Sequence, residues 1–169
     1  MKKFELTAEF VTNVFGKKLF RIKALVAFGD VEKGELGGFI EKEDNLSHDG
    51  NAWVYGNARV SGNARVSGNA RVFGNARVSG NAQVSGDARV YDDADYAVVK
   101  GFGRCFRTTT FFRCKDKILR VQCGCFYGDL AQFREIVKKT HGDSKYAKEY
   151  LAIADLMELH FSDECGGEQ

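Results

Sequence analysis

Arginines stand next to aromatic or hydroxyl-bearing residues in this chain at spacings that suit capture of an anion. Trp53, Arg71 and Arg89 recur every eighteen residues, each directly before a valine, and Tyr55, Phe73 and Tyr91 directly follow the same valines. A second cluster, Arg104, Arg107, Thr108, Thr109, Thr110 and Arg113, lies further along. A guanidinium presents a planar fork of donors that fits phosphate oxygens, and an aromatic ring offers its face to a nucleobase. Trp53, Arg71, Arg89 and the second cluster are therefore candidate ligand-binding residues for a small anionic molecule of nucleotide type. Alternating Thr and Arg is equally what a solvent-facing strand contains, and that reading stands beside the first.

The other reactive residue types do not assemble into a catalytic set. The histidines are His48, His141 and His160. His48 is expected at an inward position of a first repeat unit, as a structural imidazole, and His160 near a helix C-terminus, where a cationic ring is favoured. The five cysteines, Cys105, Cys114, Cys123, Cys125 and Cys165, form no Cys-x-x-Cys pair. Cys123-Gly124-Cys125 is thus read as ordinary strand thiols and not as part of a metal site. The odd count and the lack of a secretory segment favour reduced thiols in a cytosol. No catalytic residue, metal or cofactor is expected. No apolar run approaches the ~20 residues of a membrane-spanning helix. A net charge of +2 over 169 residues does not mark a binder of duplex nucleic acid. A soluble cytoplasmic protein is expected.

The first arginine group belongs to a repeat. From His48 to Asp95 the chain reads as eight units, seven of six residues, DGNAWV, YGNARV, SGNARV, SGNARV, FGNARV, SGNAQV and SGDARV, and a last of five, YDDAD. Internal periods of this kind decide the fold before any local signal does. A period of six fits neither an amphipathic helix nor an alternating hairpin. It fits a triangular coil of short strands and corners, three units to a turn, with turns stacked at the inter-strand distance of ~4.8 Å. Val54, Val60, Val66, Val72, Val78, Val84 and Val90 suit the inside of its strands. The alanines two residues before each valine, from Ala52 to Ala88, point inward as well, and Gly-Asn pairs supply the corners. Stacked Asn side chains suit hydrogen bonding between turns.

Folding the repeat at eighteen residues sorts the outward positions into three columns. One carries Trp53 and Tyr55, then Arg71 and Phe73, then Arg89 and Tyr91; the other two carry only Arg, Gln and Ser. All the outward aromatics of the coil share one face. A cross-strand ladder that stabilises stacking is one account of it. A contact surface is the other, since Trp, Tyr and Arg are the residues favoured there. On that account Trp53, Tyr55, Arg71, Phe73, Arg89 and Tyr91 form an interface between copies of the chain.

The flanks divide the chain into residues 1–40, a β-rich N-terminal cap; 41–100, the coil; 101–161, a C-terminal α+β module; and 162–169, a flexible tail. In the first, a hairpin turns at Asn13–Lys18, and Gly37-Gly38 reads as a turn from cap to first rung. Asn45-Leu46 then occupies the Asn-Ala position of that rung. After the coil, Arg107–Cys114 and Ile118–Cys123 flank Lys115-Asp116-Lys117 as an antiparallel hairpin. Asp129 with Gln132 three residues on forms a capping box for a helix that Gly142 ends, with Leu130, Phe133, Ile136 and Val137 on one face. A second helix runs from about Ser144 to Phe161, with Tyr146, Tyr150, Ile153, Leu156, Met157 and Phe161 at core spacing.

The Val-x-Gly-Asn-Ala-x run resembles the hexapeptide repeat of left-handed parallel β-helix proteins. Together with the lead-in Leu19–Leu25, Leu36–Glu41 and Asn45-Leu46-Ser47, it is similar to a family of small hexapeptide-repeat proteins of bacteriophages and prophages. The segments Arg107–Phe112, Cys123–Gly128 and His141-Gly142-Asp143 resemble a module fused to that family. The resemblance implies a mainly β fold: a short left-handed parallel β-helix with an N-terminal β cap and a C-terminal ββαα module, assembled as a trimer. Many left-handed β-helix proteins are trimeric acyltransferases with a catalytic histidine between subunits. Here the histidines sit at structural positions and no additional coils exist to hold an acyl donor. The resemblance therefore leads to a non-enzymatic, phage-encoded binding protein in the host cytosol, which sequesters a nucleotide second messenger as a counter-defence. A scaffold or inhibitor bound to a host protein is the alternative.

Overall fold

The inward valines and alanines fix the centre of the molecule. In the computed structural model, which describes residues 1–162, every repeat valine from Val54 to Val90 is 0% exposed, and Ala52 to Ala88 are buried with them. Seven two-residue strands carry them: β4 Trp53–Val54, β5 Arg59–Val60, β6 Arg65–Val66, β7 Arg71–Val72, β8 Arg77–Val78, β9 Gln83–Val84 and β10 Arg89–Val90. They pair in parallel, eighteen residues apart, as β4-β7-β10, β5-β8 and β6-β9. These are the three columns expected from the period. Backbone bonds such as Trp53 N–H to Ala70 O, at 3.1 Å, join successive turns. At the corners glycine is required: Gly62 has φ +65, and a Cβ there would lie 3.2 Å from Gly80 O. Asn63 donates to Asn81 at 3.4 Å and Asn69 to Asp87 at 3.3 Å, one turn to the next.

Three strands precede the repeat: β1 Phe4–Thr12, β2 Lys18–Ala24 and β3 Leu36–Ile40. β1 and β2 pair antiparallel, as do β2 and β3, while β3 pairs in parallel with β5, giving the order β1-β2-β3-β5-β8. One column of the coil therefore continues into the N-terminal sheet. Gly37-Gly38 is not a turn but lies inside β3. The glycines are there for close approach: a Cβ on Gly38 would sit 2.6 Å from Ala58 O and 2.7 Å from Val54 Cγ1. Leu46 pairs with Val66, so it holds a valine position and not the alanine one read from the sequence. Eight residues instead of six separate Leu46 from Val54, and this longer corner turns His48 out of the coil. Its ring stacks on Phe4 at 4.2 Å, accepts from Lys3 N–H at 3.1 Å and meets Glu43 at 2.7 Å.

Downstream, β11 Tyr96–Phe102, β12 Arg107–Arg113, β13 Leu119–Cys123 and β14 Phe126–Asp129 form an antiparallel sheet in chain order. α1 Leu130–His141 and α2 Lys145–His160 follow it. The module is thus ββββαα, not ββαα. Tyr96–Phe102 belongs to its sheet because that stretch pairs with β12; the repeat ends its pairing at β10. Side-chain alternation makes the sheet a middle layer. Phe112 packs in the coil's core and Phe111 in the core under the helices. The Asp129 capping box is present, with Gln132 N–H donating to Asp129 Oδ1 at 2.8 Å. Ile136, Tyr146 and Leu156 are exposed where core positions were expected, because each helix has the sheet or its partner on one side only. The expected tail, apart from Ser162, lies outside the described residues, as does Cys165.

Two outcomes follow from this packing. Gly38→Ala places a methyl against main chain that has no room to move, so denaturant unfolding should show a loss of about 1–3 kcal/mol. The second concerns Lys3, which is 3% exposed and donates to Ala52 O at 2.8 Å and Gly50 O at 3.3 Å. Burial pushes its pKa down from the usual 10.5 to about 8, with the Asp49 charge pulling the other way. Between those values the unfolded chain keeps a proton that the folded chain has released. Lys3 thus makes stability rise with pH from about 8 to 10.5. Lys3→Met should lack that rise relative to wild type when both are unfolded in denaturant across the window; parallel curves would contradict it.

Candidate functional site

Residues of the aromatic column meet the C-terminal module at a cleft of about 580 Å³. The column forms a ladder: Tyr55 stacks on Phe73 at 4.7 Å with 13° between planes, and Phe73 on Tyr91 at 4.8 Å and 9°. Ring spacing therefore repeats the turn spacing of the coil. Tyr91 ends the ladder and is 58% exposed. Next to it the cleft is lined by Arg71, Arg89, Arg113, Lys115 and Lys117, with Asp95 as the one carboxylate among the described residues.

The cations are held in different ways. Arg71 Nη1 pairs with Asp30 at 2.7 Å, and Asp30 also accepts from the Tyr55 hydroxyl at 3.0 Å. Burial opposes the Asp30 charge, but the Tyr55 and Arg71 contacts outweigh it and lower the carboxyl's pKa. Burial, then the bond to Asp30, push the Tyr55 phenol up to about 12. Arg71 Nε is buried without a hydrogen-bond partner, which leaves a donor unused. Arg89 Nη1 folds onto backbone carbonyls of Asn69, Asp87 and Ala88 at 3.0, 3.2 and 2.9 Å. Arg113 Nε lies 3.4 Å from Asp95, and its Nη2 donates to Phe161 O at 3.2 Å. Lys115 and Lys117 are exposed on the β12–β13 turn. Their place is set by main chain: Lys115 N–H donates to Asp87 O of the coil at 3.0 Å.

Of the ligand-binding residues read from the sequence, Arg71, Arg89 and Arg113 come together here. Trp53 does not. It is 0% exposed, so it is neither on an exposed aromatic face nor at an open interface of this chain. Gly37 lets β3 run against the indole, where a Cβ would come 2.8 Å from Trp53 Cζ2, and Phe28 and Phe4 lie edge-on at 5.3 and 6.4 Å. Thr109 and Thr110 are also 0% exposed. The Thr110 hydroxyl accepts Gln83 N–H at 3.0 Å, and that of Thr109 donates to Cys123 Sγ at 3.2 Å. Both are structural, because the sheet is covered on its two faces. Thr108 is half-buried in β12 and lines neither this cleft nor the next. Arg104 and Arg107 line a separate cavity of about 480 Å³ beside the helices. Sequence reasoning missed Lys115, Lys117 and Asp95; two lysines in a turn next to Arg113 were the available signal.

The repeat itself is matched by a known family model. Residues 52–68, 58–72, 64–80, 70–85 and 82–94 match the YdcK beta solenoid repeat. The coil is a β-solenoid. Its matched units span both halves of the ladder, from Trp53 to Tyr91, and leave the N-terminal strands and the C-terminal module unmatched. No curated protein matches the chain. Among the described residues, no group of three or more His, Cys, Asp or Glu is placed to hold a metal, and no helix is long and apolar enough to cross a membrane.

The Asp30 contact makes the solenoid's arginine column testable. Asp30→Asn removes the countercharge from Arg71, so binding of inorganic pyrophosphate should strengthen about threefold at low salt and the gain should shrink as salt is added. Unchanged pyrophosphate affinity in a titration calorimeter would place Arg71 outside the anion's reach.

Proposed function

We propose that this β-solenoid protein is a non-enzymatic binder of a small anionic, base-bearing ligand of nucleotide type, held in the cleft at the end of the aromatic ladder. The observation that carries the reading is the open face of Tyr91 next to Arg89, Arg113, Lys115 and Lys117. The ladder adds one ring per turn and stops where the coil stops. A planar base seated on Tyr91 continues it, which is the sequence-tolerant stacking that every nucleobase allows. Guanidinium and ammonium groups then face the phosphates, which they neutralise as a fork and as point charges respectively.

The wider reading rests on the family resemblance. It takes the solenoid as a left-handed parallel β-helix of hexapeptide repeats with its first three strands as a β cap, the chain as phage-encoded, and the ligand as a nucleotide messenger sequestered in the host cytosol. Assembly into a homotrimer through the Arg and aromatic column belongs to the same reading. One feature favours binding of a host protein instead: Val14 and Phe15 at the β1–β2 turn are 92% and 86% exposed, an apolar tip of the kind that contacts partners.

Native mass spectrometry with a panel of cyclic and linear nucleotides separates the two. The expected result is a trimer that takes up one nucleotide per cleft, with Tyr91→Ala weakening uptake by about 1–3 kcal/mol and Lys115→Ala with Lys117→Ala weakening it further. Failure of every nucleotide to bind, with recovery of a host polypeptide that Phe15→Ser abolishes, would replace this reading with the second. A monomeric mass that still binds nucleotide would remove the trimer alone.

A further inference from the structure

The helical side of the C-terminal module contains the second cavity, which the nucleotide cleft does not use. Phe126 of β14, Phe133, Ile136 and Val137 of α1 and Tyr150 of α2 form its walls. Phe133, Val137 and Tyr150 are at 2%, 4% and 5% exposure, so they are the packed floor of the cavity, and Ile136, at 38%, is its open wall. Arg104 and Arg107 stand at its mouth, on the β11–β12 turn and the start of β12, beside the exposed thiols of Cys105 and Cys125.

The mouth is built and not merely open. Gly103 N–H donates to Glu149 at 2.8 Å and the Tyr150 hydroxyl to Phe102 O at 3.3 Å, which pins the turn carrying Arg104 onto α2. Across the opening, Gly124 has φ +60, and a Cβ there would collide with Arg107 Nη1. The guanidinium thus lies over the β13–β14 turn in space that only glycine leaves. Among the described residues neither Arg104 nor Arg107 has a carboxylate within ion-pair distance.

An apolar pocket with two arginines at its mouth, neither in an ion pair among the described residues, selects for one chemistry. The ligand needs a hydrocarbon or aryl body and a single anionic head. Besides the arginines and thiols the lining offers Thr140, His141 and the Tyr150 hydroxyl, too few polar groups to re-pair the several hydroxyls of a sugar phosphate against Phe and Val. We infer that the C-terminal module binds an amphiphilic monocarboxylate, with its apolar body against Phe126 and Ile136 over the Phe133 floor and its carboxylate on Arg104 and Arg107. This site is independent of the nucleotide cleft, whose failure would leave it untouched.

Decanoate is the probe, with decan-1-ol as its uncharged match, both titrated calorimetrically into the full chain. Decanoate should bind with one molecule per chain and at least about tenfold more tightly than the alcohol. Arg104→Gln with Arg107→Gln should remove that preference while leaving the alcohol's affinity unchanged, and Ile136→Trp, on the exposed wall of the cavity, should block both. Maleimide labelling of Cys105 and Cys125 should slow when decanoate is present. Equal affinity for acid and alcohol, no saturable uptake of decanoate, or binding that leaves thiol labelling unchanged would each overturn the assignment.

Discussion

A solenoid of so few turns depends on what closes its last one. The end of a stacked coil presents unpaired main-chain groups and a bare apolar cross-section, both costly in water and both templates for adding a foreign strand. Here the C-terminal sheet does the closing with specific bonds. The Thr110 hydroxyl takes Gln83 N–H, Gln122 accepts from the Ser85 hydroxyl at 3.0 Å, and Ala88 bridges to Cys114. Phe112, 0% exposed, fills the cross-section. The cover does not extend over Tyr91, and the cleft is the gap between the closed coil and the edge of its cover. The shape of the cleft is therefore a consequence of the same contacts that make the coil stable.

Charge is distributed with the same economy of parts. The whole chain is nearly neutral, at +2, yet among the described residues five cations and one carboxylate line the cleft. Two of the arginines come from the solenoid and one from β12, while both lysines come from a turn. Neither module alone carries the field. Fold-level similarity to other solenoids thus says little about this charged cleft, which is set where the repeat meets a segment that is not part of it.

The coil was legible in the sequence because a strict period leaves one solution for where each Val, Ala and Gly must go. The aromatic ladder followed from the same arithmetic, and the helices from the Asp129–Gln132 capping box and from the core-spaced residues after Ser144. What the period did not carry was the non-repeating surroundings. Trp53 occupies the same column as Arg71 and Arg89, and nothing in the repeat says that β3 lies over it. Gly37-Gly38 was misread because close approach and turning both call for glycine, and only the neighbours at Val54 and Ala58 distinguish them. Thr109 and Thr110 were misread for the opposite reason: a strand covered on both faces still contains Thr when its hydroxyls have partners to meet. β14, four residues long with Gly128 among them, carried too little alternation to register as a strand. Lys3 is buried against carbonyls forty-seven and forty-nine residues away, a contact that no local pattern encodes.

The stacking of identical faces every eighteen residues also constrains how such a chain can change length over evolution. Gain or loss of a full turn moves the sheet that covers the end along the axis and keeps every column in line. Gain or loss of a single six-residue unit turns the covering sheet by one face relative to the ladder, so that Tyr91 and the lysines no longer share a cleft. Duplications in relatives that retain the same pocket are therefore expected in multiples of three units, with other insertions confined to corners such as the eight-residue step between Leu46 and Val54.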